Sequence, residues 1–220
     1  FFVFNRLKLT RKQRNEIQQQ KEHIEEVHGE IQDSIVYAKR IQTAILPPDS
    51  LFRSILPNSF VLYLPKDVVA GDFYWLHETG NTKFFAAADC TGHGVPGAFL
   101  TLLGSAFMNE IVSRDEDISP ATILNELRKR MIKELGQGAE GSNTKDGMDI
   151  SLIKVNPITL KAEWAGANNP LWILRNESSE ILDIKGDKEH IGYSYSMSDF
   201  TNHEVQFSKG DQFFVFSDGY

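Results

Sequence analysis

At 220 residues, 41% hydrophobic and 24% charged, the chain can build one sizeable core and still have residues left for an extended element. A net charge of −7 and a pI near 5.4 exclude nucleic acid as a main partner, because backbone binding needs clustered Lys and Arg; a phosphorylated substrate stays open if metal ions supply the positive charge. The single cysteine, Cys90, excludes an internal disulfide and a cysteine-rich zinc site, and fits a reducing compartment.

No stretch reaches the roughly 20 apolar residues that span a bilayer. Phe1 to Phe4 are nevertheless apolar, and Arg6, Lys8, Arg11, Lys12 and Arg14 follow. Two readings of this start stay open: the cytoplasmic end of a transmembrane segment, which would tether a cytoplasmic protein to the inner face of a membrane, or the frayed start of a helix.

Residues 5–46 read as one long helix, without proline and with only Gly29 as a weak spot. Ile17, Ile24, Ile31, Ala38 and Ile45 recur every seven residues, and Val27, Ser34 and Ile41 follow three residues after the middle ones. This is a heptad seam, and it predicts a parallel two-stranded coiled coil; the alternative is a lone amphipathic helix lying on its own domain. Pro47 and Pro48 stop it. The chain thus divides into a helical linker, residues 1–46, and a compact domain, residues 47–220.

In the domain, residues 59–66, 73–79 and 83–89 read as strands. Residues 96–112 form a buried helix opened by Pro96. Residues 119–135 form an amphipathic helix with Ser119 as N-cap and Ile123, Leu124, Leu127, Met131 and Leu135 on one face. The Gly-rich stretch 136–147 is a loop. Strands follow at 149–155, 160–166, 171–175 and 180–184, then a loop at 186–200 and strands at 203–207 and 212–217. Strands in runs with a helix pair between them predict an α+β fold of antiparallel sheets.

Three aspartates stand at strand ends beside glycines: Asp72 in Val69-Ala70-Gly71-Asp72-Phe73, Asp89 after Phe84-Phe85-Ala86-Ala87-Ala88, and Asp218 in Ser217-Asp218-Gly219. No Lys or Arg lies within three residues of any of them. Each alone reads as a turn residue. Together they read as hard oxygen ligands for Mg²⁺ or Mn²⁺. The segment Asp89-Cys90-Thr91-Gly92-His93-Gly94-Val95-Pro96-Gly97 runs from strand through a tight turn into a helix, and its glycines let backbone groups approach a metal or phosphate closely. It is neither a Walker loop nor a dinucleotide fingerprint.

These elements resemble the SpoIIE/RsbU-like bacterial branch of PPM (PP2C-like) protein serine/threonine phosphatases. Val69 to Tyr74 is similar to its V-G-G-D-F-Y element, and Asp89 to Gly94 to its D-x-S-G-H-G element, with Thr91 in place of Ser. Ile41 to Pro48 resembles the I-Q-x-x-L-L-P junction, Gly166 to Pro170 the G-x-x-N-P turn, and Ser217-Asp218-Gly219 the T-D-G element. The ordered match covers residues 35–220.

The resemblance implies a layered α-β-β-α sandwich of two antiparallel sheets flanked by helices. It also implies two Mn²⁺ or Mg²⁺ ions held by Asp72, a bridging Asp89, the Cys90 carbonyl and Asp218. Water activated between the ions would attack the phosphate in line, without a phosphoenzyme. The implied substrate is a phosphoserine or phosphothreonine protein, an anti-anti-sigma-type domain among the options. An upstream sensor would act through a homodimeric helix. Gly71, Gly92, His93 and Gly94 would support the ligands rather than react. The family carries one further acidic ligand after T-D-G, so the domain is expected to continue past Tyr220.

Other candidates are weaker. Asp146 and Asp149 flank the strand after the long loop; Asp146 is a candidate for a third ion, against a plainer reading as a solvated carboxylate. Lys66 is a candidate phosphate contact, against a surface lysine. Trp75, Trp164 and Trp172 read as core or sheet-face aromatics, His23 and His28 as solvated, and Cys90 as no redox thiol. A non-catalytic relay that binds a phosphoprotein without hydrolysing it is the competing reading.

Overall fold

The computed structural model describes residues 2–115, 117–139, 146–176, 178, 180 and 181–218. Phe1, Gly219, Tyr220 and the middle of the 136–147 loop lie outside the described residues.

The linker forms one continuous helix, α1 (Phe2–Ile45), supported along its solvated faces by i,i+4 pairs such as Lys12–Glu16 and Lys21–Glu25. Of the seam residues, Ile17, Ile24, Val27, Ile31, Ile41 and Ile45 are exposed. In the last turns Ile35 and the seam residue Ala38 are half-buried and Gln42 and Leu46 buried, where α1 meets the domain. The helix therefore docks only by its C-terminal turns, and that contact takes up Ala38 but leaves the larger apolar seam residues exposed.

Gln42 makes the contact specific. Its Nε2 donates to the Ala70 carbonyl at 2.6 Å and its Oε1 accepts from the Ala70 amide at 3.0 Å. Ala70 is two residues before Asp72, so the helix end is tied directly to the segment that delivers that carboxylate.

After Pro47 and Pro48 comes a short helix that the sequence pattern did not suggest, α2 (Asp49–Ile55). An Asp49–Arg53 pair at 2.7 Å holds it, and Phe52 and Ile55 pack on Leu76. Residues 59–66 differ from the strand expected there. The alternation is present, with Val61 and Tyr63 turned inward and Phe60, Leu62 and Leu64 exposed, but among the described residues no neighbouring backbone supplies a ladder, so the segment belongs to neither sheet.

The remaining elements fall close to their expected places. They are β1 (Asp72–Thr79), β2 (Thr82–Cys90), α3 (Gly94–Arg114), α4 (Pro120–Glu134), β3 (Met148–Asn156), β4 (Lys161–Ala167), β5 (Leu171–Leu174), β6 (Ile181–Ile184), β7 (His203–Gln206) and β8 (Gln212–Val215). Five strands form an antiparallel sheet ordered β1-β2-β3-β4-β7, and three form a second, ordered β6-β5-β8.

The α+β fold of two antiparallel sheets thus stands. Among the described residues its layers run helix pair, large sheet, small sheet. Phe73, Trp75, Phe84, Ala86, Ala88, Ile150 and Leu152 pack one face of the large sheet on α3 and α4. Ile153, Val155, Trp164, Leu171 and Ile173 form a separate core between the sheets.

Small residues let α3 lie close to the sheet. A methyl group at Gly104 would stand 2.8 Å from Met148 Cε. Among the described residues α3 is the one helix long and apolar enough to cross a bilayer, and half of its apolar stretch is buried in the fold. In α4, Ser119 caps the helix by accepting from the Thr122 amide, and Ile123, Leu124, Leu127 and Met131 are fully buried. From its other side the buried Arg128 reaches Glu189 and the Ser198 carbonyl and lies over Phe200, fastening the 186–200 loop.

Replacing Gln42 with Ala should leave the buried Ala70 amide unpaired and its carbonyl with only the Thr101 hydroxyl. The expected loss is about 1–3 kcal/mol of unfolding free energy, read by urea denaturation, against a change near zero for Gln18→Ala on the solvated part of the helix.

Candidate active site

The strand register places the carboxylates. In β1–β2 pairing Asp72 lies opposite Asp89, and in β2–β3 pairing Asp89 lies opposite Asp149. Directly paired residues point to the same face of a sheet, with Cβ atoms about 5 Å apart. Phe73, Ala88, Cys90, Met148 and Ile150, each one position away, all pack into the helix-side core. The three carboxylates therefore form a row on the opposite face, the one turned toward the small sheet.

Asp218 comes from the small sheet, three residues after β8 ends. Its neighbour Ser217 donates from Oγ to Asp72 Oδ2 at 3.5 Å. Asp89 stands at the centre, close to Asp218 and Asp72. Its pKa is pushed up to about 8, first by burial, then by the neighbouring Asp218 and Asp72 carboxylates.

Asp149 is the site residue to which sequence reasoning gave no role. Burial raises its pKa, the Asn168 hydrogen bond and His190 oppose that, and the charge of Asp218 adds to it. Asn168 Nδ2 donates to Asp149 Oδ1 at 2.7 Å from a left-handed backbone, φ 58°, in the Gly166–Pro170 turn. The only signal in the sequence was a carboxylate at the start of an apolar strand. Its place opposite Asp89 follows from pairing strands about 60 residues apart.

Among the described residues no Lys or Arg forms an ion pair with Asp72, Asp89, Asp149 or Asp218. Nor, among them, do three His, Cys, Asp or Glu side chains stand in ready ligand geometry for a metal. The acids instead face one another, and the proximity of Asp72 and Asp218 raises the pKa of Asp89. A set of clustered carboxylates without a cation, one of them held as an acid near neutral pH, fits a hard divalent ion, which replaces shared protons by charge.

The backbone around Asp72 and Asp89 is held by close approach. A methyl group on Gly71 would lie 2.6 Å from the Gly92 carbonyl oxygen and 3.0 Å from that of Cys90. One on Gly97 would lie 2.5 Å from the same Gly92 oxygen. The Cys90 amide donates to the Gly71 carbonyl at 3.2 Å, and the buried Thr101 hydroxyl bridges the Ala70, Gly71 and Gly97 carbonyls. Thr91 is tied to Gly147 in both directions: its amide donates to the Gly147 carbonyl at 2.8 Å, and the Gly147 amide donates to Thr91 Oγ1 at 3.1 Å. Gly92 and Gly94 both have positive φ, 85° and 65°. Tyr63 donates to the Asp72 carbonyl at 3.1 Å.

Other candidates divide as follows. The Cys90 side chain is in the helix-side core and burial pushes its thiol pKa up, so only its backbone faces the turn. His93 is exposed, with Nδ1 2.8 Å from Asp67 Oδ2. Lys66 is exposed on the loop before Asp72. Asp146 is half-buried, and its backbone carbonyl accepts from Gln137; the register brings Asp149, not Asp146, opposite Asp89. Trp75 and Trp164 are core aromatics whose indole N–H groups reach Asn109 and Ser151, while Trp172 is half-buried against Phe216.

The family profile of stage II sporulation protein E (SpoIIE) matches residues 79–220. No curated protein matches significantly. Among solved structures, the SiaA-PP2C domain of Pseudomonas aeruginosa is similar at 33% identity and a TM-score of 0.77, over 88% of this chain and 74% of that one. The PP2C phosphatase domain and regulatory fragment of the cell fate determinant SpoIIE from Bacillus subtilis aligns at 18% identity and a TM-score of 0.54, over 69% of this chain and 42% of that one. RsbX in complex with magnesium aligns at 17% identity and a TM-score of 0.52, over 69% and 67%.

The raised Asp89 pKa sets the sign of a pH effect. In the native state Asp89 holds its proton up to about pH 8, whereas its unfolded value is the ordinary 3.8. The native state thus binds more protons between those values, and stability falls as pH rises through that window. Metal-free protein should melt at a higher temperature at pH 5.5 than at pH 8.5, and Asp89→Asn should flatten the difference, as read by calorimetry in the presence of a chelator.

Proposed function

This chain belongs to the SpoIIE family of PP2C-like phosphatases, and from that premise we propose that it is a metal-dependent protein serine/threonine phosphatase acting on a phosphorylated partner protein. The observation that carries the reading is the carboxylate row Asp72–Asp89–Asp149, met by Asp218 from the other sheet, with no cationic side chain paired to it among the described residues. Asp72, Asp89, Asp218 and the Cys90 carbonyl would hold two Mn²⁺ or Mg²⁺ ions, and the magnesium in the RsbX structure supports that choice of ion. Asp146 remains a candidate for a looser third ion.

When bound, such ions neutralise phosphate charge and make water a competent nucleophile at neutral pH. The chain's own residues do the rest. Asp72 and Asp89 hold fixed positions on paired strands, so the reacting phosphate meets a preset arrangement rather than a mobile one. Asp89, between the other carboxylates, is the residue whose charge state depends most on its neighbours. Lys66, exposed on the loop leading to Asp72, is placed to meet phosphate oxygens or acidic groups of the substrate. Water adds to phosphorus, the ester P–O bond breaks, and the serine or threonine hydroxyl leaves with a proton alongside inorganic phosphate.

The exposed seam of α1 supports a parallel homodimer, with Ile17, Ile24, Ile31 and Ile45 meeting their counterparts. An upstream sensor would then act on the site through the Gln42–Ala70 contact. Ile24→Asp with Ile31→Asp should yield a monomer in analytical ultracentrifugation with helix content retained. A wild-type monomer at tens of micromolar would sink the dimer.

For catalysis, the purified protein should hydrolyse an aryl phosphate with Mn²⁺ and lose activity with a chelator. Asp89→Asn should lower kcat by about 10²-fold or more. Unchanged activity in that variant removes the metal mechanism. Tight binding of a phosphoprotein with no turnover would instead favour the non-catalytic relay.

A further inference from the structure

The two segments that lead into Asp72 and out of Asp89 are irregular. The loop before Asp72 is poorly fastened: among the described residues, Asp67 carries the only hydrogen bond made by residues 64–69. Its partner is His93, in the turn that follows Asp89 and Cys90. His93 stands at the N-terminus of α3 but does not cap it. Its backbone is extended, φ −120° and ψ 171°, between two left-handed glycines, Gly92 and Gly94. Those two φ reversals turn the imidazole out of the helix line and toward Asp67, whose Oδ2 stands 3.8 Å from where a Gly94 methyl would be. The Nδ1 contact of 2.8 Å is short and joins segments 26 residues apart.

We propose that Asp67 and His93 form a clasp that holds the Cys90–Gly94 turn against the loop leading into Asp72, and that this positioning sets the affinity of the site for a divalent cation. Neither residue is a ligand in this proposal. Asp67 accepts from His93 Nδ1–H, the imidazole keeps its place beside the turn, and the Cys90 carbonyl keeps its direction relative to Asp72. A solvated ion pair by itself contributes little to global stability. The clasp therefore acts locally, and its loss should leave the melting temperature of the metal-free protein nearly unchanged. The affinity part rests on the metal-dependent reading above, and two independent measurements separate the two ideas.

The first measurement is amide hydrogen exchange in the metal-free protein. Asp67→Ala and His93→Ala should each speed exchange at the Cys90 and Thr91 amides, which bond to Gly71 and Gly147 in the intact fold. Equal exchange in wild type and both variants overturns the clasp, whatever the metal does. The second is Mn²⁺ titration by calorimetry. Either variant should weaken binding on the order of tenfold, with the double variant no worse than the singles, since both break one contact. Asp67→Asn, which keeps an acceptor at the same reach, should recover most of the affinity. Additive losses, or no loss with Mn²⁺ still bound, overturn the link to affinity. A wild type that binds no Mn²⁺ overturns that link and the metal-dependent reading together, and leaves the exchange result to decide the clasp.

Discussion

Like charges placed directly opposite one another across a sheet repel, and the strand register here puts three carboxylates in such a row. Asp72, Asp89 and Asp149 are successive cross-strand neighbours, and Asp218 approaches from the facing sheet. At the roughly 5 Å spacing of paired strands, such a set can persist only with protons or a cation between its members. The rise of Asp89 to about pKa 8 expresses the proton solution. A divalent ion is the other.

What holds the row is mostly backbone. Gly71, Gly92 and Gly97 approach so closely that no side chain fits between them, and the Thr101 hydroxyl joins three carbonyls at the same point. The long helix enters this cluster through one side chain, Gln42, whose amide pairs with both backbone groups of Ala70. A movement of α1 would therefore be felt first two residues from Asp72. The isoleucines and Val27 of that helix's seam stay exposed, and the docking contact takes up only Ala38 among its apolar members.

Much of this was legible in the chain. Heptad spacing, the proline stop and the absence of helix breakers defined α1 to within a few residues, because those signals are local. The Ser119 cap and the apolar face of α4 were legible for the same reason. The strand at 59–66 was not found, although its alternation is real. Alternation specifies which side chains face inward, but a strand also needs a partner backbone, and pairing is not a local property. The short helix after Pro48 lacked a full period from which to read it. Asp149 shows the same limit at the site: one carboxylate at the head of an apolar strand carries no role until the register is known.

By itself, then, the sequence determined the long N-terminal helix, the α+β class, the absence of any cysteine-rich chemistry, and the family, through short motifs whose glycines and aspartates are conspicuous in linear order. It also identified Asp72, Asp89 and Asp218 as the acids to watch. Only the tertiary structure decided which of them are neighbours, that Asp149 joins them, that Gln42 fastens the helix beside them and that His93 has Asp67 for a partner. The physical reason is the same throughout. Propensity, capping and periodicity act over a few residues and are written in the chain, whereas charge repulsion, cross-strand register and close backbone approach act between segments tens of residues apart and exist only once the sheet has formed.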